Sequence, residues 1–314
     1  MKSKIFGKIG VAIMMATAVV MTSCSDGDDE SSVAVNPDVY VVGSGYNDSN
    51  VLVATLWTNG VKQELGDGAG EARSVFVSGS DVYVAGIDNS VAILWKNGEK
   101  EVLPTTGSPK VNFVYVSGSD VYVVGFDDAK PVLWKNGEKQ ILSTSEEHNG
   151  EATTVFVSGS DEYVSGFEYI GSNNVAVLWK NGEKETLTAT GNSKANSVFV
   201  SGNNVYVAGL DGDDPVLWKN NVPQILPIEG TDGHSHSVYV SGSDVYASGF
   251  DRAEGAVLWK NGVKQHLHAS STSHAYSVFV SGSDAYVIAE SALWKNGVKE
   301  ELPDVGTAYS VFVK

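Results

Sequence analysis

Short apolar runs recur along most of this chain with a period of about forty residues, and the units repeat in sequence as well as in hydrophobicity. In one such unit the apolar positions fall within 74–78, 82–86, 91–96 and 100–103, with turn-forming residues between them. The pattern predicts four strands, here called a, b, c and d. Asn97-Gly98, between c and d, tolerates the positive φ angles of a two-residue hairpin turn, and Gly79-Ser80 serves between a and b. Each unit therefore reads as a four-stranded antiparallel meander. Val75-Phe76-Val77 and Ala92-Ile93-Leu94-Trp95 are apolar at successive positions, hence on both faces of a strand, which requires a sheet covered on both sides. Small sheets arranged radially, each packed between two neighbours, meet that requirement. A parallel β-helix would use shorter coils and would not need two tight hairpins in each.

The ends of the chain set the number of blades. Tryptophan occurs seven times, at Trp57, Trp95, Trp134, Trp179, Trp218, Trp259 and Trp294; each follows a Leu, and all but the first precede Lys-Asn. Strand a sequences precede six of them, beginning at Ser74, Phe113, Thr154, Ser197, Ser237 and Ser277. The first unit, from Asp38, lacks a strand a, while the last is followed by 310–314, a strand a with nothing after it. The expected fold is all-β: a seven-bladed β-propeller of four-stranded antiparallel blades, closed by the C-terminal strand completing the first blade, which pairs edges that would otherwise template aggregation. The weak run Val33-Ala34-Val35 is the competitor for that place. The tryptophans, at equivalent positions of strand c, are expected to fill the space between blades.

Ahead of the repeats, Lys2, Lys4 and Lys8 lead into an apolar stretch over 9–21 and then Thr22-Ser23-Cys24, the layout of a secretory signal. The stretch is short for a membrane span. Small residues leading to the one cysteine of the chain resemble the lipobox of bacterial lipoproteins, in which cleavage leaves Cys24 as the diacylated first residue. The acidic run over 25–30 reads as a flexible tether and resembles the export signal that places some lipoproteins on the outer face of the outer membrane. The expected divisions are a signal peptide over 1–23, a tether over 24–36 and the propeller over 37–314. A formal charge of −17 argues against nucleic acid as a partner.

Units of one chain also separate scaffold from variation. The a–b and c–d turns are nearly constant and share one face of the disc, whereas the b–c and d–a loops vary and share the other, which is therefore the expected binding face. Asp81 should pair with Lys96 across b and c, and Asp120 with Lys135, as scaffold. The position immediately before strand a should ring the mouth of the central channel: Arg73, Asn112, Thr153, Asn196, His236, Tyr276 and Tyr309. These offer polar donors and aromatic faces together, which suits a sugar, a peptide or another small polar ligand. Acids recur where strand b ends, at Asp88, Asp127, Glu168, Asp211 and Asp251, with Asp48 nearby; such residues open turns, and a convergent ring of them would suit Ca²⁺. His234, His236, His266, His268 and His274 lie in or beside the loops entering the last two blades, and His234, His236 and His274 are the zinc candidates. No cofactor is expected, and neither metal is taken as resident.

The repeat resembles the WKNG-type propeller repeats of bacterial lipoproteins, over roughly 38–314, and differs from WD repeats in having Trp-Lys where they have Trp-Asp. The resemblance implies the architecture and transfers no catalytic residue. The expectation is a monomeric, lipid-anchored protein of the cell surface that binds a glycan or a protein without catalysis. A glycan-cleaving hydrolase or lyase at the channel mouth, and a periplasmic outer-membrane assembly factor, are the alternatives.

Overall fold

The computed structural model describes residues 37–143, 149–188, 191–267 and 270–314. The expectations for the signal segment, Cys24, the tether, the run 33–35 and His268 lie outside them. Seven four-stranded antiparallel sheets form a closed ring. Blade two shows the pattern, with Gly70–Ser78, Asp81–Asp88, Val91–Lys96 and Glu99–Val102 as strands a to d in spatial order. In blade one the C-terminal strand, Val305–Val313, pairs with Val39–Tyr46 and supplies the missing strand a. Two further backbone bonds between Asp38 and Lys314, at 2.8 and 2.9 Å, finish that seam.

The core is divided among the blade interfaces. Ala85 and Leu94 of blade two, for instance, pack with Val111 and Trp134 of blade three. All seven tryptophans are buried there. Four of their indole N–H groups, those of Trp57, Trp95, Trp134 and Trp259, reach back a blade: Trp134 Nε1 donates to the carbonyl of Pro104 at 2.9 Å, and Trp259 Nε1 to that of Pro227 at 2.8 Å. An indole held this way is worth about 3–5 kcal/mol against alanine.

The c–d turns have the predicted geometry, with φ of 52° at Asn97 and 83° at Gly98. The asparagine does more than turn the chain. Its Oδ1 accepts the N–H of Val82 and its Nδ2 donates to Asp81 Oδ1, both at 2.9 Å, while Lys96 Nζ lies 2.9 Å from Asp81 Oδ2. One face of the blade is thus tied by an Asn-Asp-Lys trio, repeated in blades four, six and seven, as at Asn261, Asp244 and Lys260. In blade three Lys135 stands 4.0 Å from Asp120 and 2.6 Å from Glu162, blade one has Thr58 in place of the lysine, and blade five has Asn204 in place of the aspartate.

Strand a departs from expectation in a way that matters for function. It begins at Gly70 rather than at residue 74, because pairing with strand b continues through a β-bulge: Ala72 pairs with Gly86 and Ser74 with Ala85, leaving Arg73 without a partner. The same slip falls at Asn112, Thr153, Asn196, His236, Tyr276 and Tyr309. Residues expected just before strand a therefore lie within it, each as the extra residue of a bulge. Glycine faces the bulge from strand b in six blades, and Ala289 takes that place in blade seven. A Cβ on Gly86 would sit 2.1 Å from the carbonyl oxygen of Glu71, and one on Gly209 would sit 1.9 Å from that of Lys194. At these two positions only an absent side chain lets the backbones approach so closely.

Candidate functional site

A bulge re-aims its extra side chain, and here seven bulges aim seven different side chains at one place. Arg73, Asn112, Thr153, Asn196, His236, Tyr276 and Tyr309 all line a single open cavity of about 200 Å³ at the axial mouth. The structure thus brings together the whole set singled out in the sequence. The cavity is small beside the roughly 300–1,000 Å³ of drug-sized sites. It matches one sugar ring or one side chain.

The ring has two unlike arcs. Along the first, polar side chains hand across from blade to blade: Asn112 Nδ2 donates to the carbonyl of Ala152 at 2.8 Å, Thr153 Oγ1 to that of Ala195 at 2.7 Å, and Asn196 Nδ2 to that of Ser235 at 2.9 Å. The second arc is aromatic. His236 and Tyr276 have ring centroids 5.6 Å apart, Tyr276 meets Tyr309 edge-on at 6.1 Å, and the Arg73 guanidinium lies over the Tyr309 ring at 4.1 Å. Tyr276 is 39% exposed, the most accessible aromatic face of the arc.

Sequence reasoning missed a second tier, two residues before each bulge. Glu71 accepts from Arg73 Nη2 at 2.6 Å and from the Tyr309 hydroxyl at 3.1 Å. Glu151 accepts from Lys110 Nζ at 2.6 Å and Asn112 Nδ2 at 2.8 Å. Period-two alternation would have pointed to these acids had the bulge been recognised as part of the strand.

Deeper in the channel, hydroxyls next to the bulges stitch adjacent blades, as where Thr154 Oγ1 accepts the N–H of Val198 at 2.8 Å. Beyond them Phe76, Tyr115, Phe156, Phe199, Tyr239, Phe279 and Phe312 form a continuous collar, with neighbouring ring centroids 4.7–5.1 Å apart. Aromatic pairs at this spacing are each worth about 0.5–1.5 kcal/mol beyond burial. The mouth therefore opens onto an apolar constriction.

The acids ending strand b do not converge. Each is bonded inside its own blade: Lys100 Nζ lies 2.7 Å from Asp88, Lys139 Nζ 2.7 Å from Asp127, Lys184 Nζ 2.7 Å from Glu168, and Lys264 Nζ 3.0 Å from Asp251. Asp211 accepts from the Thr188 hydroxyl at 3.2 Å. Asp127 also accepts the N–H groups of Thr106 and Gly107, at 2.7 and 2.9 Å, and so pins the incoming loop to the outer strand. Burial alone would raise the Asp127 carboxyl, but the Lys139 ammonium and these N–H donors outweigh it and hold the group at about 2. In Asp88, Asp127, Glu168 and Asp251 a lysine takes the place where a cation would sit, which makes these four acids scaffold.

The histidines do converge. His234 and His236 are on strand a of blade six and His274 immediately precedes that of blade seven, yet one ring nitrogen from each lies within 4.8 Å of those of the others. His236 Nε2 and His274 Nδ1 are 2.9 Å apart. His274 is stacked on Phe250 at 4.2 Å, which fixes its plane. Burial pushes His236 down to about 3, with His274 and His234 adding to the effect, so its imidazole is neutral at pH 7. His266 lies apart from this group, paired through Nδ1 with Glu254 at 3.2 Å.

Among solved structures, the β-propeller domain of the trilobed protease from Pyrococcus furiosus is similar, with a TM-score of 0.53 at 11% identity over 85% of this chain and 92% of that one. That propeller has an open velcro topology, whereas here Val305–Val313 closes the ring. The extracellular domain of a one-component system from B. thetaiotaomicron matches with a TM-score of 0.51 at 12% identity, over 79% of this chain but 37% of that one. Likeness at such identities shows the fold alone. No family model matches the chain, and no curated protein does. What the comparisons and the strand pairing establish together is a seven-bladed β-propeller, closed by its own C-terminal strand.

Proposed function

We propose that this protein is a non-catalytic binding module of the cell surface, lipid-anchored through Cys24, that holds a glycan at the channel mouth. One observation carries the binding reading. Blades nearly identical in their strands deliver five different residue types to one small cavity, a variation the fold does not need. Tyr276 and Tyr309 offer faces for stacking on a sugar ring, and Arg73 and the Asn112–Asn196 arc offer hydrogen bonds at its edge. The carboxylate of Glu151, which lines the cavity, is already engaged by Lys110 and Asn112, and that of Glu71 in the second tier by Arg73 and Tyr309. A glycosidase needs one such group to give up a proton, which favours binding over cleavage. Anchoring rests on Thr22-Ser23-Cys24 and the acidic run after it.

A glycan-array screen of the purified chain, with product analysis of every ligand found, tests the reading. Saturable binding without new reducing ends is expected. Turnover lost on changing Glu71 and Glu151 would replace it with the hydrolase reading, and a protein that proteases reach only after the envelope is opened would not be displayed at the surface.

A further inference from the structure

Three imidazoles meeting at the edge of the mouth are not accounted for by the fold. Blades one to five place Thr307, Glu71, Lys110, Glu151 and Lys194 where blades six and seven place His234 and His274, two residues before the bulge. The scaffold therefore accepts an acid, a base or a hydroxyl at that position without changing the bulge. His236 is likewise one of seven bulge residues of five types, and the one histidine among them. Nothing in strand pairing calls for three histidines together, on two blades, at adjoining positions of both tiers.

We propose that His234, His236 and His274 form a binding site for a divalent late-transition-metal ion of the Zn²⁺ class, held by three imidazoles with a fourth position open toward the channel mouth. Zn²⁺ takes imidazole nitrogens at about 2.0–2.1 Å in a tetrahedron, which puts ligand nitrogens roughly 3.3 Å from one another. The His236 and His274 nitrogens stand at 2.9 Å and the full set lies within 4.8 Å, so modest ring rotations complete the geometry. Imidazole donors with no carboxylate or carbonyl among them select Zn²⁺, Cu²⁺ or Ni²⁺ over Ca²⁺ and Mg²⁺.

The surroundings fit a metal site. Phe250 is stacked on His274 at 4.2 Å and Tyr276 lies nearly parallel to it at 5.8 Å, and both restrict its orientation. Asp232 Oδ1 is 3.4 Å from His234 Nε2, the carboxylate-histidine arrangement that raises a ligand ring's basicity and fixes its tautomer, and Arg252 Nη1 holds Asp232 in turn at 2.8 Å. His236 lines the cavity itself, so a bound ion would present its open position to whatever occupies the mouth. The site does not depend on the glycan reading, since a metal could bind with the mouth empty.

The test is calorimetric titration of the untagged, chelator-treated chain with ZnCl₂, with no glycan present. One ion per chain is expected, with Mg²⁺ and Ca²⁺ giving no heat. His236→Ala and His274→Ala should each weaken binding about 100-fold or more, Asp232→Asn about 10-fold, and His266→Gln not at all. In the unaltered protein, the ring ¹⁵N signals of three histidines should shift together on adding Zn²⁺, a readout that survives if a variant fails to fold. No saturable binding, or one-ion binding that survives both alanine changes, would overturn the site and mark the 2.9 Å contact as a plain hydrogen bond between imidazoles. Glycan binding indifferent to chelator would leave the metal site standing, and loss of glycan binding on the array would leave the zinc titration unaffected.

Discussion

Asp127, at the end of a strand b, and His236, in the bulge of a strand a, both belong to sets of titratable residues visible in the sequence, and the fold treats them oppositely. Asp127, paired with Lys139, has counterparts in other blades, and three of them are likewise neutralised locally: Asp88 by Lys100, Glu168 by Lys184, Asp251 by Lys264. His236 has no counterpart of its own kind, and its partners come from the neighbouring blade and from the tier behind it. In a repeat protein, recurrence marks what each blade needs to hold itself together. A residue type that occurs at one or two blades only, at a position the scaffold leaves free, marks what the whole ring can do.

Several changes would break or sharpen that contrast. The largest effect is expected at the shared device beneath the mouth. In Gly209→Val the new side chain would drive into the Lys194 carbonyl and the Trp218 ring, costing about 3 kcal/mol or more in urea unfolding and disturbing the mouth as well. Asp127→Asn should cost about 2 kcal/mol at pH 7 while leaving ligand and metal binding intact. The sign follows from a carboxyl held below its usual 3.8: its contribution is complete above about pH 4 and is lost as pH falls through about 2, so the variant and the parent should converge in acid. Tyr276→Ala should reverse the pattern, with glycan affinity about tenfold weaker and little change in melting temperature. Asp81→Ala, removing an exposed acid paired with Lys96, should change neither measurably. Equal effects of the Asp127 and Tyr276 changes on stability would erase the distinction between scaffold and site.

Much of this was legible before any coordinates. Apolar runs, Asn-Gly turns and the orphan strand at the C-terminus identify seven blades and their closure, and the tryptophans, at equivalent positions of strand c, pack between blades as those positions imply. The mouth residues were legible because their chemistry changes while the strands beside them do not. Their mechanism was not. Arg73 and Asn112 look like loop positions, since a bulge has no periodic signature and its permissive glycine lies in the next strand. Glu71 and Glu151 were missed for the same reason. The acids after strand b read equally well as turn openers or cation ligands, and only their distance to lysines of strand d decided between the two.

Sequence alone determined the features whose causes are local: strand alternation, turn chemistry, the repeat and the number of times it occurs. These depend on residues a few positions apart, so the order of amino acids contains them. Tertiary structure decided what depends on the angle between blades. His236 and His274 are 38 residues apart along the chain and 2.9 Å apart in space, and the aromatic collar joins seven strands that share no turn. Such contacts arise when identical sheets are set side by side around an axis, so the ring, rather than any one blade, brings a single set of side chains to one opening.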